Sequence, residues 1–147
     1  MKVMMYPEQL LTPMRQELTR LGVEELRTAA EVDAVLPTAG TTLVVVNSVC
    51  GCAARNARPA IAMALTHAKT PDRSTTVFAG QDREAADRAR EYFTGYMPSS
   101  PSIALLKDGA LVYMLERRNI EGRTAQDIAA DLARAFDTHC TESGAAA

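Results

Sequence analysis

The chain has 147 residues, of which 47% are hydrophobic and 23% are charged, and its formal net charge is −2. This composition is ordinary for a globular domain, the small net charge argues against a nucleic-acid partner, and no apolar run approaches the roughly 20 residues of a membrane span. Three cysteines and no signal-peptide pattern favour a reducing cytoplasm, where a close cysteine pair is more often catalytic or metal-binding than structural.

The first part of the chain alternates between helical and extended patterns. Pro13 predicts a helix over 12–21, because proline suits the first helical position and Gly22 suits the stop. A capping box that begins at Thr28 predicts a second helix, which ends before Pro37. A β-branched, continuously apolar run then predicts a strand that is covered on both faces. The two predicted strands of this part are 23–27 and 43–46.

The second part continues this alternation and closes with a hairpin. Pro59 lies inside a helical pattern and is expected to kink it. Asp108-Gly109 lies between two apolar runs, which is typical of a tight hairpin turn. Thr124 and Asp127 predict the capped start of a last helix. The predicted ranges are helices over 53–68 and 82–94, strands over 75–79, 103–106 and 111–115, and a flexible tail at 141–147.

The order of these elements predicts one α/β domain over residues 1–147. Alternating strands and helices build a mainly parallel sheet with helices on both faces, and the closing hairpin adds antiparallel pairing. The expected architecture is therefore a central mixed β-sheet flanked by helices.

Cys50-Gly51-Cys52 lies between the buried strand and the following helix. The partial positive charge of a helix N-terminus favours thiolate over thiol, so we expect depressed thiol pKa values here. Thiolate is the form that attacks disulfides. The position therefore predicts that Cys50 is the attacking nucleophile of a thiol–disulfide exchange enzyme.

The spacing of the pair leaves the role of Cys52 open. Two residues of extended chain reach about 6.6–7.2 Å, just within the Cα separation that a disulfide accepts. Gly51 is expected to supply backbone dihedral angles closed to other residues, and the tight ring predicts an easily reduced disulfide. Cys52 then either expels a captured thiol or mainly tunes Cys50.

The residues around the pair resemble a known family. Val46-Asn47-Ser48-Val49-Cys50-Gly51-Cys52-Ala53-Ala54, followed by Asn56-Ala57-Arg58-Pro59-Ala60, is similar to the Cys-Gly-Cys bacilliredoxins, thioredoxin-like proteins of bacillithiol-using bacteria. The similarity continues through 99–102, 119–123 and Cys140, so it covers nearly the whole chain. Without its first helix, the element order also resembles the thioredoxin fold, which implies a thioredoxin-like domain with an extra N-terminal helix. The family often has His before Ile-Glu-Gly, where this chain has Asn119.

A second marker of the thioredoxin resemblance is the segment that begins at Pro101 and runs to Gly109. It implies a cis peptide bond between Ser100 and Pro101, with Pro98 as the competing assignment. In that geometry the Ser100 backbone pairs with an extended substrate, and the proline keeps metal ions from the thiols.

Several other residues have two interpretations each. Asn47, Ser48, Asn56 and Arg58 cluster by sequence around the thiols, and Arg55 lies among them. Either arginine is a candidate ligand for the carboxylates of a malate-bearing thiol such as bacillithiol, because guanidinium binds carboxylate bidentately; equally, both are ordinary solvated helix residues. Cys140 is either a C-terminal thiol without a role or a second resolving thiol, if its helix end comes near the pair.

These observations lead to three hypotheses for function. The first is thiol–disulfide exchange, which the residues alone indicate, and the resemblance implies that the enzyme removes bacillithiol from client proteins. The resemblance further implies bacillithiol as co-substrate and a thiol reductase system as a further partner. No bound cofactor is expected. The second hypothesis is a general protein disulfide isomerase or reductase. The third is a non-enzymatic zinc or copper site built from Cys50, Cys52 and His139-Cys140, although a second Cys-X-X-Cys pair is missing from the sequence.

Overall fold

The computed structural model describes residues 6–141, so the predicted tail at 141–147 lies, apart from Thr141, outside the described residues. No helix within this range combines the length and the apolar character that crossing a membrane requires. The strands are β1 (Glu24–Glu25), β2 (Thr41–Asn47), β3 (Arg73–Phe78), β4 (Ser102–Lys107) and β5 (Ala110–Leu115). The α-helices are α1 (Glu8–Thr19), α2 (Ala29–Val35), α3 (Arg58–Ala64), α4 (Arg83–Arg90) and α5 (Ala125–His139).

These strands form a mixed sheet in the order β1-β3-β2-β4-β5. β1, β3 and β2 run parallel, whereas β4 is antiparallel to β2 and to β5. β2 is central and every one of its residues is buried, as its continuous apolar run predicted. In the β4–β5 turn, Asp108 and Gly109 have φ values of 53° and 82°, which the tight hairpin turn requires. The α/β class and the closing hairpin are confirmed.

Helices cover both faces of the sheet. Side chains of α1, α3 and α5, including Leu18, Ile61 and Phe136, pack on one face, and those of α2 and α4 pack on the other. Alternate residues of β2 point to opposite faces of the sheet. Val45 packs in the core under α1, α3 and α5, and Val44 packs in the core under α2 and α4. Each fully buried large side chain contributes roughly 1.5–3 kcal/mol, so the two cores hold the carboxyl ends of β2 and β3 in fixed positions.

The first helix begins one turn earlier than predicted. α1 starts at Glu8, after Pro7, and Pro13 lies inside it in place of the first helical position. The buried Arg15 explains the earlier start, because its guanidinium bonds Glu8 at 2.8 Å, Glu25 at 2.6 Å and Asp82 at 2.7 Å. These ion pairs fix the first turn of α1 to β1 and to the start of α4.

The helix after the cysteine pair also differs from its prediction. Residues 51–64 are helical, but Ala53–Ala57 form a π-helical turn that ends two residues before Pro59. Proline has no N–H to donate to the preceding turn, so the helical turn before it is widened. The helix ends at Ala64 rather than at 68. α4 likewise ends at Arg90 rather than at 94.

The predicted helix starts at Thr28 and Thr124 are confirmed. Each threonine is the N-cap of its helix, and its side chain accepts a hydrogen bond from the backbone N–H three residues later, at Glu31 and at Asp127.

Candidate redox site

The connector between β2 and the cysteine pair is held by buried polar groups. The Asn47 side-chain oxygen accepts hydrogen bonds from the Ser48 N–H and from Arg58 Nη1, both at 2.9 Å. Arg58 Nη1 also donates to the Ser48 carbonyl at 2.9 Å, and Arg58 Nε lies 3.2 Å from the Glu17 carboxylate in an ion pair. Arg58 is only 3% exposed, so it is neither the solvated residue nor the free carboxylate ligand that the sequence suggested. These contacts show that Arg58 holds the loop before Cys50 in place.

Cys50 is half-buried, and its surroundings stabilise the thiolate. Burial raises the pKa of the Cys50 thiol, but hydrogen bonds from the Ser48 side chain and from the N–H groups of Ala53 and Cys52 lower it, together with the charge of Arg117. The hydrogen bonds and the charge prevail, so the pKa lies below the ordinary value. The Cys50 N–H donates in turn to Ser48 Oγ at 3.1 Å, which fixes the loop.

Cys52 has the opposite tendency. Burial raises the pKa of its thiol, and a hydrogen bond to Glu121 and the charge of Cys50 raise it further, against the lowering effect of Arg117. Cys52 Sγ lies 3.5 Å from Glu121 Oε2, so the thiol has a carboxylate acceptor for its proton. The two thiols therefore differ: the hydrogen bonds and charge around Cys50 stabilise its thiolate, whereas the surroundings of Cys52 stabilise its thiol.

Arg117 links the thiols to the segment before β4. Its Nη1 donates to the Ser100 carbonyl at 3.1 Å, while its Nη2 lies 3.1 Å from Glu121 Oε2 and 3.9 Å from Cys52 Sγ. No sequence pattern predicted a role for Arg117 or Glu121, although Glu121 lies in the segment 119–123 that carries part of the family resemblance. That segment was the available signal, since no spacing rule connects Cys52 to residues more than sixty positions later.

Asn119 occupies the position where the family often has His. Its side-chain oxygen accepts a hydrogen bond from the Glu116 N–H at 2.9 Å and thereby caps the short 3₁₀ turn Arg117–Asn119. This cap fixes the turn that presents Arg117 to the thiols.

The Ser100–Pro101 peptide bond is cis, as predicted, and the competing assignment at Pro98 is wrong. The Ser100 carbonyl already accepts from Arg117, and Ser99 Oγ accepts from the Arg117 N–H at 3.3 Å. Two residues of this loop are thus bonded to the residue that contacts Cys52.

The expectation that Gly51 supplies unusual dihedral angles is wrong. Its φ is not positive, so the turn does not demand glycine for its dihedral angles. Instead, a Cβ at Gly51 would lie 2.8 Å from Arg55 Nη2, which is closer than non-bonded atoms approach. The guanidinium of Arg55 lies over the glycine, and a larger residue would displace it.

Cys140 lies far from the pair. It is buried at the end of α5, where burial raises the pKa of its thiol and a hydrogen bond to Thr41 lowers it in part. Thr41 is the first residue of β2, and Cys50 follows its last residue, so the two thiols lie about 20 Å apart along the strand. The structure does not meet the condition under which Cys140 would be a second resolving thiol, and the proposed zinc or copper site loses its further ligands for the same reason. Among residues 6–141, no group of three His, Cys, Asp or Glu side chains is placed to hold a metal ion.

Known proteins resemble this chain both in sequence and in fold. A family model described as disulphide isomerase matches residues 6–140. A bacilliredoxin of Koribacter versatilis is 64% identical over 92% of this chain and 94% of its own length, and one of Salinibacter ruber is 59% identical over 93% and 82%. The solved thioredoxin of Fasciola hepatica has a TM-score of 0.54 at 18% identity, over 80% of this chain and 99% of the thioredoxin. That likeness confirms the thioredoxin-like fold.

Proposed function

The chain belongs to the disulphide isomerase family, as one of its bacilliredoxins, and is a thiol–disulfide oxidoreductase; we propose that it removes bacillithiol from mixed disulfides on client proteins. The bacilliredoxin names of its relatives support the choice of small thiol, and the two cysteines with opposite pKa shifts support the chemistry. The proposed setting is a reducing cytoplasm.

The first step is attack by Cys50. Its thiolate forms a bond to the bacillithiol sulfur of the mixed disulfide, the old sulfur–sulfur bond breaks, and the client cysteine leaves as a thiolate. A lowered pKa supplies more thiolate at neutral pH, and the half-buried position leaves the sulfur accessible. Bacillithiol is then bonded to Cys50, and the client is reduced.

The second step is resolution by Cys52. Once Cys50 is part of a disulfide its negative charge is gone, and that charge was one of the causes that held the pKa of Cys52 up. Cys52 then loses its proton to solvent, and the resulting thiolate attacks Cys50, which expels bacillithiol as a thiolate and forms the Cys50–Cys52 disulfide. A thiol reductase or further small thiol returns the pair to the dithiol state.

The observation that carries this proposal is the asymmetry between the two thiols. Hydrogen bonds from Ser48 and the helical turn stabilise the Cys50 thiolate, whereas the Glu121 carboxylate keeps the proton on Cys52. An attacking thiol needs its charge in the resting enzyme, and a resolving thiol needs it only after capture.

Trapping the captured thiol tests the proposal. A client bacillithiolated at one cysteine is mixed with the Cys52→Ala variant, and the mass of each cysteine-containing peptide is measured. We expect bacillithiol on Cys50 and a reduced client, while the matched Cys50→Ala variant leaves the client modified. If Cys52→Ala never acquires the thiol, the proposed function fails.

The family description supports a second candidate, a general protein disulfide isomerase. The same pair would then act on disulfides within or between protein chains. Turnover rates on one client prepared as a bacillithiol mixed disulfide, a glutathione mixed disulfide and an intramolecular disulfide separate the two. A clear preference for the intramolecular disulfide favours the isomerase.

A further inference from the structure

A cleft lies on the face of the sheet that α4 covers, and Ser100, the residue before the cis proline, contributes to its lining. It has a volume of about 370 Å³, within the lower range of small-molecule sites. The loop after β3 forms one wall, α4 forms another, and Ser100 lies on the rim. Its charged lining residues are Arg83, Asp87 and Arg90.

The rim of this cleft is close to the thiols. The pairing of β2 with β4 ends at Val46 and Ser102, so the segment that contains Ser100 leaves the sheet beside the end of β2 that leads to Cys50. The Ser100 carbonyl and Cys52 Sγ also contact the same Arg117 guanidinium, at 3.1 and 3.9 Å. Since a guanidinium is small and planar, the two atoms lie within roughly 10 Å of each other. A small thiol bonded to Cys50 can therefore extend into the cleft.

The arginines of the cleft have unused donors. Arg90 is 20% exposed, and its Nη2 donates a long hydrogen bond of 3.4 Å to the Ser99 carbonyl. Its buried Nε has no hydrogen-bond partner within residues 6–141. Asp87, the acidic residue of the cleft, lies 3.9 Å from Arg90 Nη1 and is itself 71% exposed, so it neutralises Arg90 only weakly. Arg83 is exposed and forms no ion pair within the described part of the chain.

We propose that this cleft binds the carboxylates of the low-molecular-weight thiol while its sulfur exchanges at Cys50. The inference rests on the proposed function and goes beyond it, because it assigns the part of the small thiol that is recognised to Arg83 and Arg90. The terminal nitrogens of Arg90 have only a 3.9 Å ion pair and a 3.4 Å hydrogen bond, and a carboxylate offers these arginines stronger charge-assisted hydrogen bonds. Arg58, the sequence-based candidate for this role, is 3% exposed and donates from Nη1 to Asn47 and Ser48, although its buried Nε, like that of Arg90, has no hydrogen-bond partner within residues 6–141.

Two substrates that differ mainly in charge test the cleft. The same client is modified with bacillithiol or with its malate dimethyl ester, which adds only two methyl groups and removes the malate charges. The variants are Arg83→Gln and Arg90→Gln. The matched control is Arg88→Gln, which lies on the same helix but pairs with Asp33 of α2, 2.7 Å away.

We expect each cleft variant to lower kcat/KM for the charged substrate by about tenfold and for the ester by much less. The control should change both by less than about twofold. Equal losses on the two substrates, or a loss of similar size in the control, would overturn the inference. If Arg90→Gln fails to fold, as judged by circular dichroism, the comparison of Arg83→Gln with the control is sufficient, because Arg83 is exposed.

A binding measurement separates this inference from the proposed function. S-methyl bacillithiol cannot exchange, so calorimetric titration with it reports recognition alone. If the protein binds S-methyl bacillithiol in an Arg83-dependent manner but does not transfer bacillithiol, the proposed function is refuted and the proposed cleft remains supported. Transfer that is unaffected by both arginine variants, with unchanged titrations, would keep the function and refute the cleft.

Discussion

Ser48→Ala is expected to slow the attack of Cys50 through the loss of one hydrogen bond. Ser48 is 8% exposed, and its side chain is the first of the groups that lower the pKa of Cys50. A hydrogen bond to a charged partner contributes about 1.5–3 kcal/mol, and the lower end applies here because Cys50 is only half-buried. Without the hydroxyl, the pKa of Cys50 rises toward its ordinary value.

The magnitude follows from that free energy. About 1.4 kcal/mol corresponds to a factor of ten, so below its pKa Cys50 should hold about tenfold less thiolate in Ser48→Ala than in the wild type. Well above the pKa both proteins are fully ionised, and the difference in thiolate content disappears. The rate of Cys50 alkylation by iodoacetamide, followed by peptide mass spectrometry across a range of pH, measures this directly. Ser48→Thr is the matched control, because it retains a hydroxyl.

Two outcomes would refute this reasoning. One is an alkylation profile of Ser48→Ala that superimposes on the wild type, and the other is a rate difference that is the same at every pH. The variant also removes the acceptor of the Cys50 N–H at 3.1 Å, which should lower the free energy of unfolding by about 1 kcal/mol. Denaturant unfolding monitors that separate effect.

Three further substitutions have defined expectations. Glu121→Gln removes the negative charge beside Cys52, so the pKa of Cys52 should fall and peptide-resolved alkylation of Cys52 at neutral pH should rise by about threefold or more. No increase would contradict the assigned contact. Arg58→Ala breaks a buried polar network and should lower the free energy of unfolding, measured in urea, by about 3 kcal/mol. The exposed Arg55→Ala is the control and should change it by less than about 0.5 kcal/mol. Similar losses of stability in the two variants would argue against the network. Cys140→Ala should lower stability by about 1 kcal/mol but leave turnover of a bacillithiolated client within about twofold, and a large loss of turnover would restore Cys140 as a resolving thiol.

Local patterns predicted much of the fold and the centre of the site. The apolar run of β2, the Asp108-Gly109 turn and the two threonine caps depend on neighbouring residues, so the sequence contained what was needed. Cys50-Gly51-Cys52 was located by the strand before it and the helix after it. The cis bond at Pro101 came from the resemblance to thioredoxin, since local physics gives only a small preference for it.

Contacts between distant segments were the part that sequence patterns could not supply. Arg58 resembles a solvated helix residue until Asn47 and Ser48 are placed beside it. Arg117 reaches Cys52 only because the 3₁₀ turn after β5 packs beside the start of the helix that follows β2. Pro13 was misassigned for the same reason, because the ion pairs of Arg15 decide where the first helix begins.

A single turnover of the wild-type protein tests the central claim most directly. Reduced enzyme is mixed with an equal amount of bacillithiolated client, quenched with acid at successive times, and each cysteine-containing peptide is quantified by mass. We expect bacillithiol to leave the client, to appear on Cys50, and to be released as the Cys50–Cys52 disulfide forms in equal amount. Bacillithiol that appears first on Cys52, or a client that is reduced while Cys50 stays free throughout, would contradict it.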